Sequence, residues 1–182
     1  MSHFYTGKGD DGFTGLLGEG RVPKYHPRPE IVGELDEATA ALGLARALSQ
    51  DRKTGSTLLI VQRDLYHMMA EIAATPENAP KFRKIDAGRV AWLEDQTSEL
   101  EKLVHIPGEF IVPGDSIAGA ALALARTIIR RAERRVAQFL HSGEIENNEI
   151  LRYLNRLSSL CFALELSENQ SAGKSSPTLA KE

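Results

Sequence analysis

Cysteine is nearly missing from this 182-residue chain: Cys161 stands alone. A single thiol excludes a disulfide framework within one chain and any CxxC metal knuckle, and it fits a reducing compartment. Long apolar runs are missing too. The longest is the small-residue run AGAALALA at residues 118–125, far short of the roughly 20 residues a membrane helix needs. No basic-then-apolar leader opens the chain. A cytoplasmic protein, or a processed organelle-matrix form, is therefore expected, with no membrane partner. A basic excess is also lacking. The formal net charge of -3 argues against a general nucleic-acid binder and leaves room for a local basic site. The five histidines form no HExxH and no Glu-x-x-His pair, which weighs against zinc peptidase and di-iron chemistry. Convincing strand alternation and internal repeats are absent as well.

What the chain does have is helical period. Its length suits one domain, expected at 1–168 with an N-terminal arm at 1–25. Ile31, Leu35, Ala38, Leu42 and Leu48 recur near 3.6 residues in a helix over 29–48. A second helix is expected over 57–74. A third follows an Asp86 N-cap to about 104, a fourth a Ser116 N-cap to about 140, and a fifth spans about 147–166. The polar stretch NQSAGKSSPTLAKE that closes the chain reads as a disordered tail over 169–182. The fold class is all-α: a five-helix bundle carrying a glycine-rich arm.

Three stretches look chemical. The fourth helix, ARTIIRRAERRVAQFL, aligns Arg126, Arg130 and Arg134 at i, i+4, i+8, with Glu133 beside them. Either this is a solvated charged face with internal pairs, or it faces a counter-charge, since like charges at i+4 repel. An acid from elsewhere, a neighbouring subunit and a polyphosphate all qualify, and arginine suits bidentate capture of carboxylate or phosphate. The fifth helix sets Arg152, Asn155, Arg156 and Ser159 opposite an apolar stripe that includes Cys161; Asn155 is either a plain exposed residue or a polar contact. The arm segment TGKGDDGFTG at 6–15 has phosphate-cradle composition, because glycines let successive N–H groups point into one concavity. It is not a Walker loop, and a flexible N-terminus fits it as well. Asp36 and Glu37 are either surface charge or an answer to the arginines.

Four blocks in this order, YTGKGDDGFTGLLG (5–18), RVPKYHPRPEIVGELDEATAALGLAR (21–46), FIVPGDSIAGAALALARTIIRRAER (110–134) and YLNRLSSLCFAL (153–164), resemble the ATP:cob(I)alamin adenosyltransferases of the trimeric five-helix type, also called corrinoid adenosyltransferases. The resemblance implies transfer of the 5′-deoxyadenosyl group of ATP to the cobalt of cob(I)alamin, giving adenosylcobalamin and triphosphate. It implies ATP with Mg²⁺ held mainly through the nucleotide and no protein metal site assigned. It implies cob(I)alamin or cob(II)alamin as substrate, and a homotrimer with sites at its subunit interfaces. A reductase and adenosylcobalamin-dependent enzymes are further implied partners. By the same resemblance Tyr5, Thr6, Gly7, Lys8, Gly9, Asp10, Gly12, Thr14 and Lys24 line the nucleotide. Arg130, Glu133, Arg134 and Asn155 face it too, and Asp36 pairs with Arg126 across the subunit boundary. Phe110 lies under the corrin ring, so that Arg130, Glu133, Arg134 and Phe110 are the implied catalytic residues.

Two positions depart from the family pattern. Asp115 stands where a glycine is common, and Ser159 replaces an aspartate. A binding protein on the same fold without turnover, and a purely structural bundle, are the rival readings. Turnover separates the first, and the absence of ATP protection of the arm would favour the second.

Overall fold

Each long helix begins on a side chain that accepts from its first turn. His26 Nδ1 accepts from Arg28 N, and Asp51 from Lys53 N and Thr54 N. Asp86 accepts from Arg89 N, Ser116 Oγ from Gly119 N and Asn147 Oδ1 from Glu149 N. Such caps satisfy N–H groups that have no partner inside the helix. The computed structural model describes residues 4–174 and 176–181. In chain order it contains β1 (Phe13–Gly15), β2 (Arg21–Pro23), α1 (Pro27–Leu48), α2 (Arg52–Ala73), the short α3 (Ala79–Phe82), α4 (Ala87–Glu101), α5 (Ile117–His141) and α6 (Asn148–Ser171). The five long helices pack α5 on α6 and α1, α1 on α2, and α4 on α6. Leu35, Leu42, Leu58, Leu65, Leu122, Ile129, Leu154 and Leu157 fill the core, and Cys161 sits among them fully buried.

Two polar clusters interrupt this core. Arg28 donates to the carbonyls of Ile72 at 3.0 Å, Ala74 at 2.8 Å and Glu144 at 2.8 Å. Its guanidinium lies over the Phe139 ring. One side chain thus joins the start of α1, the end of α2 and the turn after α5. Deeper in, Asp64 accepts from the Tyr153 hydroxyl at 2.6 Å and from Arg89 Nη2 at 2.5 Å. Burial, then the Asp64 charge, pushes the Tyr153 hydroxyl well above its usual range, so it remains a donor.

The structure differs from expectation at the start of α2, which begins at Arg52 rather than at 57, in the arm and in the C-terminal stretch. The arm, expected to lack strands, pairs β1 with β2 antiparallel, Thr14 opposite Val22. Three-residue strands are too short to print an alternation in the sequence. The C-terminal stretch, expected to be disordered from 169, first extends α6 to Ser171 and then lies along the loop before α5. Val112 N donates to Thr178 O, and Ala180 N to Phe110 O, both at 2.8 Å. The added helical turn is polar in sequence because Glu168 and Asn169 are buried against hydrogen-bond partners, Ser49 and Ser116, rather than in apolar contact.

Tyr153→Phe is expected to lower the unfolding free energy by about 1.5–3 kcal/mol, the range for a hydrogen bond to a charged group. A thermal melt indistinguishable from wild type would show that Arg89 alone suffices for Asp64.

Candidate active site

The arm is a hairpin with a built turn. Gly7 and Gly12 adopt φ of 69° and 81°, a region that glycine enters without a Cβ penalty. They permit the turns that close Asp10 N to Gly7 O at 3.2 Å and Gly12 N to Gly9 O at 3.1 Å. Gly9 leaves room for the Lys24 ammonium, which a Cβ there would meet at 3.0 Å. Thr6 Oγ1 accepts from Lys8 N, and Tyr5 is exposed. Lys8 and Lys24 form no ion pair among the described residues. Sequence reasoning missed the clamp that shapes this arm. Arg21 donates to both oxygens of Asp11 at 2.8 Å and to the carbonyls of Lys8 at 2.7 Å and Phe13 at 3.1 Å. The Arg21 hydrogen bonds hold the Asp11 carboxyl below its usual range. The signal available was an acid and an arginine flanking a glycine-rich turn.

The hairpin is moored to the end of α2. Leu17 N donates to Ala73 O at 2.9 Å and Thr75 N to Leu17 O at 3.2 Å. Gly18 lies so close to Thr75 and Asn78 that a Cβ would overlap both.

On α5, burial of Leu122, Ile129 and Val136 turns Arg130 and Arg134 to solvent. Glu133 and Asn155 come together, Asn155 Nδ2 donating to Glu133 Oε1 at 2.9 Å. Arg156 extends the row, donating to Asn155 Oδ1 and Glu94 Oε1, each at 2.8 Å. Helix α1 answers part of the basic charge. Glu37 pairs with Arg131, and Glu34 with Arg135 at 3.5 Å. Arg126 behaves differently: half-buried, its Nε has no hydrogen-bond partner. Asp36 is exposed, and it forms no ion pair with Arg126 inside the chain. Arg126 and Arg130 line a cavity of about 270 Å³ with Ser158, Ser159 and Phe162.

Phe110, at 87 % exposure, tops the loop before α5. This loop lies at the bundle end where α5 starts and α6 finishes, tied by Ser116 Oγ to Asn169 Oδ1 at 2.7 Å. The arm lies at the other end, where α2 and α5 finish. Within one chain the two are separated by about the length of α5, whose 25 residues span roughly 37 Å at 1.5 Å each. Among the described residues no hydrogen bond or ion pair joins arm residues 5–24 to α5.

Glu165 was also missed in the sequence, where it reads as one acid on a helix. It is 1 % exposed and neither carboxylate oxygen has a hydrogen-bond partner. Burial pushes its carboxyl from the usual 4.5 up to about 7, against the opposing pull of Arg126 and with a smaller push from Asp115.

The family model of the cobalamin adenosyltransferases matches residues 4–168. The corrinoid adenosyltransferase PduO of Salmonella typhimurium is 38 % identical over 170 residues, 92 % of this chain and 50 % of that protein. The corrinoid adenosyltransferase of Bacillus subtilis is 38 % identical over 173 residues, 93 % of this chain and 88 % of its own length. The chain thus spans about half the length of the PduO relatives. Among solved structures, a phenylalanine-to-alanine variant of a PduO-type ATP:corrinoid adenosyltransferase from Lactobacillus reuteri, complexed with cobalamin and ATP, superposes with a TM-score of 0.89. It is 29 % identical, with 98 % of this chain and 99 % of that one covered.

A carboxyl pKa raised by folding means that the native state keeps a proton the unfolded chain has released. Glu165 therefore costs stability as pH climbs from its ordinary value towards about 7. Glu165→Gln is expected to gain melting temperature over wild type progressively between about pH 5 and about pH 8. A constant offset across that range would refute the proton count.

Proposed function

Because the chain belongs to the cobalamin adenosyltransferase family, we propose that it transfers the 5′-deoxyadenosyl group of ATP to the cobalt of a reduced corrinoid and releases triphosphate. The observation that carries this reading is the meeting of Glu133 and Asn155 on the face where Arg130 and Arg134 project. Residues from two helices thereby present one anion-facing surface. The Lactobacillus relative bound to cobalamin and ATP supports both substrates.

In this reading the arm residues Tyr5, Thr6, Gly7, Lys8, Gly9, Asp10, Gly12 and Thr14, with Lys24, wrap the nucleotide. Arg130 and Arg134 face the triphosphate. Cobalt(I) is itself the nucleophile and attacks the 5′ carbon, so no general base is required. The chain's task is alignment, which supplies roughly 7–11 kcal/mol in well-oriented reactions, and placement of cations where charge departs. Mg²⁺ brought in with ATP, a hard ion that prefers oxygen ligands, would supply positive charge against the leaving triphosphate. Glu133 is the carboxylate on that face that would hold it. The exposed Phe110 ring gives the corrin an apolar wall that keeps water and a lower axial ligand away from cobalt.

The separation of the arm from Phe110 supports sites shared between copies, as in the homotrimer that the resemblance implies. In that arrangement the arm of one copy and the α5 face of another form one site. The unpartnered Arg126 Nε and the exposed Asp36 then meet across that boundary. No helix among the described residues is long and apolar enough to cross a membrane. A cytoplasmic enzyme that receives corrinoid from a reductase and passes product to adenosylcobalamin-dependent enzymes is consistent with this.

Anaerobic incubation with ATP, Mg²⁺ and cob(I)alamin is expected to give the absorbance change of the adenosylated product. Tight binding of both substrates without that change would assign a carrier role instead. Arg130→Ala is expected to lower kcat by about 10²–10³, the loss on removing one transition-state donor; undiminished turnover would take Arg130 out of the site. Asp36→Asn is expected to shift the assembly towards monomers in size-exclusion chromatography, since it leaves a buried charge unpaired. An intact trimer at nanomolar protein would remove that pair from the interface.

A further inference from the structure

Phe110 presents a largely exposed ring on a loop with little internal structure. Pro107, Gly108, Pro113 and Gly114 surround it, and Gly114 has a φ of 130°. Among the described residues, segment 107–115 makes two backbone hydrogen bonds outside the helices. Both go to the C-terminal stretch, from Val112 N to Thr178 O and from Ala180 N to Phe110 O. Ile111 faces Leu179 in an antiparallel bridge between them. A ladder this short is not stable by itself. A side chain locks it. Asp115 accepts from Thr178 N through Oδ2 at 2.8 Å and from Thr178 Oγ1 through Oδ1 at 2.7 Å.

Asp115 is itself well placed to serve as the fixed point. It precedes Ser116, which caps α5 through Gly119 N and donates to the buried Asn169 of α6. Gly119 approaches Asn169 so closely that a Cβ there would collide with its side-chain amide oxygen. The Thr178 hydrogen bonds hold the Asp115 carboxyl below its usual range, so it is charged and accepting near neutral pH.

We propose that Asp115, acting through Thr178, is a positioning residue for the corrinoid site: it fastens residues 178–180 as a second strand along residues 110–112 and so fixes where the Phe110 ring stands. This rests on the reading of Phe110 as the corrin wall. It assigns a role to the carboxylate that closes this loop, and to a polar stretch beyond the residues that the family model spans. Neither Asp115 nor Thr178 touches the nucleotide arm, so the effect falls on one substrate.

The test compares Asp115→Ala and Thr178→Val with Thr178→Ser, which keeps both donors. The first readout is amide hydrogen exchange at Val112 and Ala180, which needs no activity. The second is KM for corrinoid against KM for ATP. Asp115→Ala and Thr178→Val are expected to speed exchange at both amides and to raise the corrinoid KM about three- to tenfold, the equivalent of one net hydrogen bond, with the ATP KM unchanged. Thr178→Ser is expected to match wild type in both. Unchanged exchange, a parallel rise in both KM values, or Thr178→Ser behaving like Thr178→Val would each overturn the proposal. Should the wild type itself lack turnover, the adenosyl-transfer reading fails, and cob(II)alamin affinity by absorbance titration replaces KM. The positioning role then stands on a weaker corrinoid affinity in Asp115→Ala and falls on an equal one.

Discussion

Helix α5 can bury only one side, and that choice sets the geometry of everything around it. Leu122, Ile129, Val136 and Phe139 go inward against α1 and α6, each contributing on the order of 2 kcal/mol of burial. The rotation of the rod is then fixed, and five arginines in ten residues must project elsewhere. Their fates diverge by neighbour. Those beside α1 find Glu34 and Glu37. Arg130 and Arg134 find solvent, and Arg126 finds a half-buried position with an idle Nε. A charge pattern that is uniform in sequence becomes three environments in space.

Both ends of the bundle are held by polar groups rather than by more hydrophobic contact. Arg28 gathers three carbonyls at the arm end. Ser116 and Asn169 join α5 to α6 at the loop end. Irregular backbone has carbonyls and N–H groups to satisfy, which apolar packing cannot do. Hydrogen bonds to such groups also carry direction, so each end keeps a defined path for the segment attached to it.

The helices were legible because burial writes a period. Ile31, Leu35, Ala38 and Leu42 announce α1, and Asp86 and Ser116 mark two helix starts as read. Arg130, Glu133, Arg134 and Asn155 were placed from block resemblance, and two of them do touch. The illegible parts share a cause: their partners are far away in sequence. Asp11 and Arg21 are ten residues apart across a hairpin whose strands are too short to show. Thr178 meets Asp115 over 63 residues. Glu165, Glu168 and Asn169 look like a fading polar helix end, yet all three are buried. Hydropathy cannot distinguish an acid dissolved in water from one packed against a distant helix.

The lone thiol has a chemical meaning under the proposed transfer of an alkylating carbon. Cys161 is sealed in the core, and burial drives its thiol up to about 12. Essentially no thiolate therefore exists at neutral pH. Cys161 therefore offers no thiolate to compete with cobalt for an adenosyl group, and none to ligate the metal and quench its reactivity.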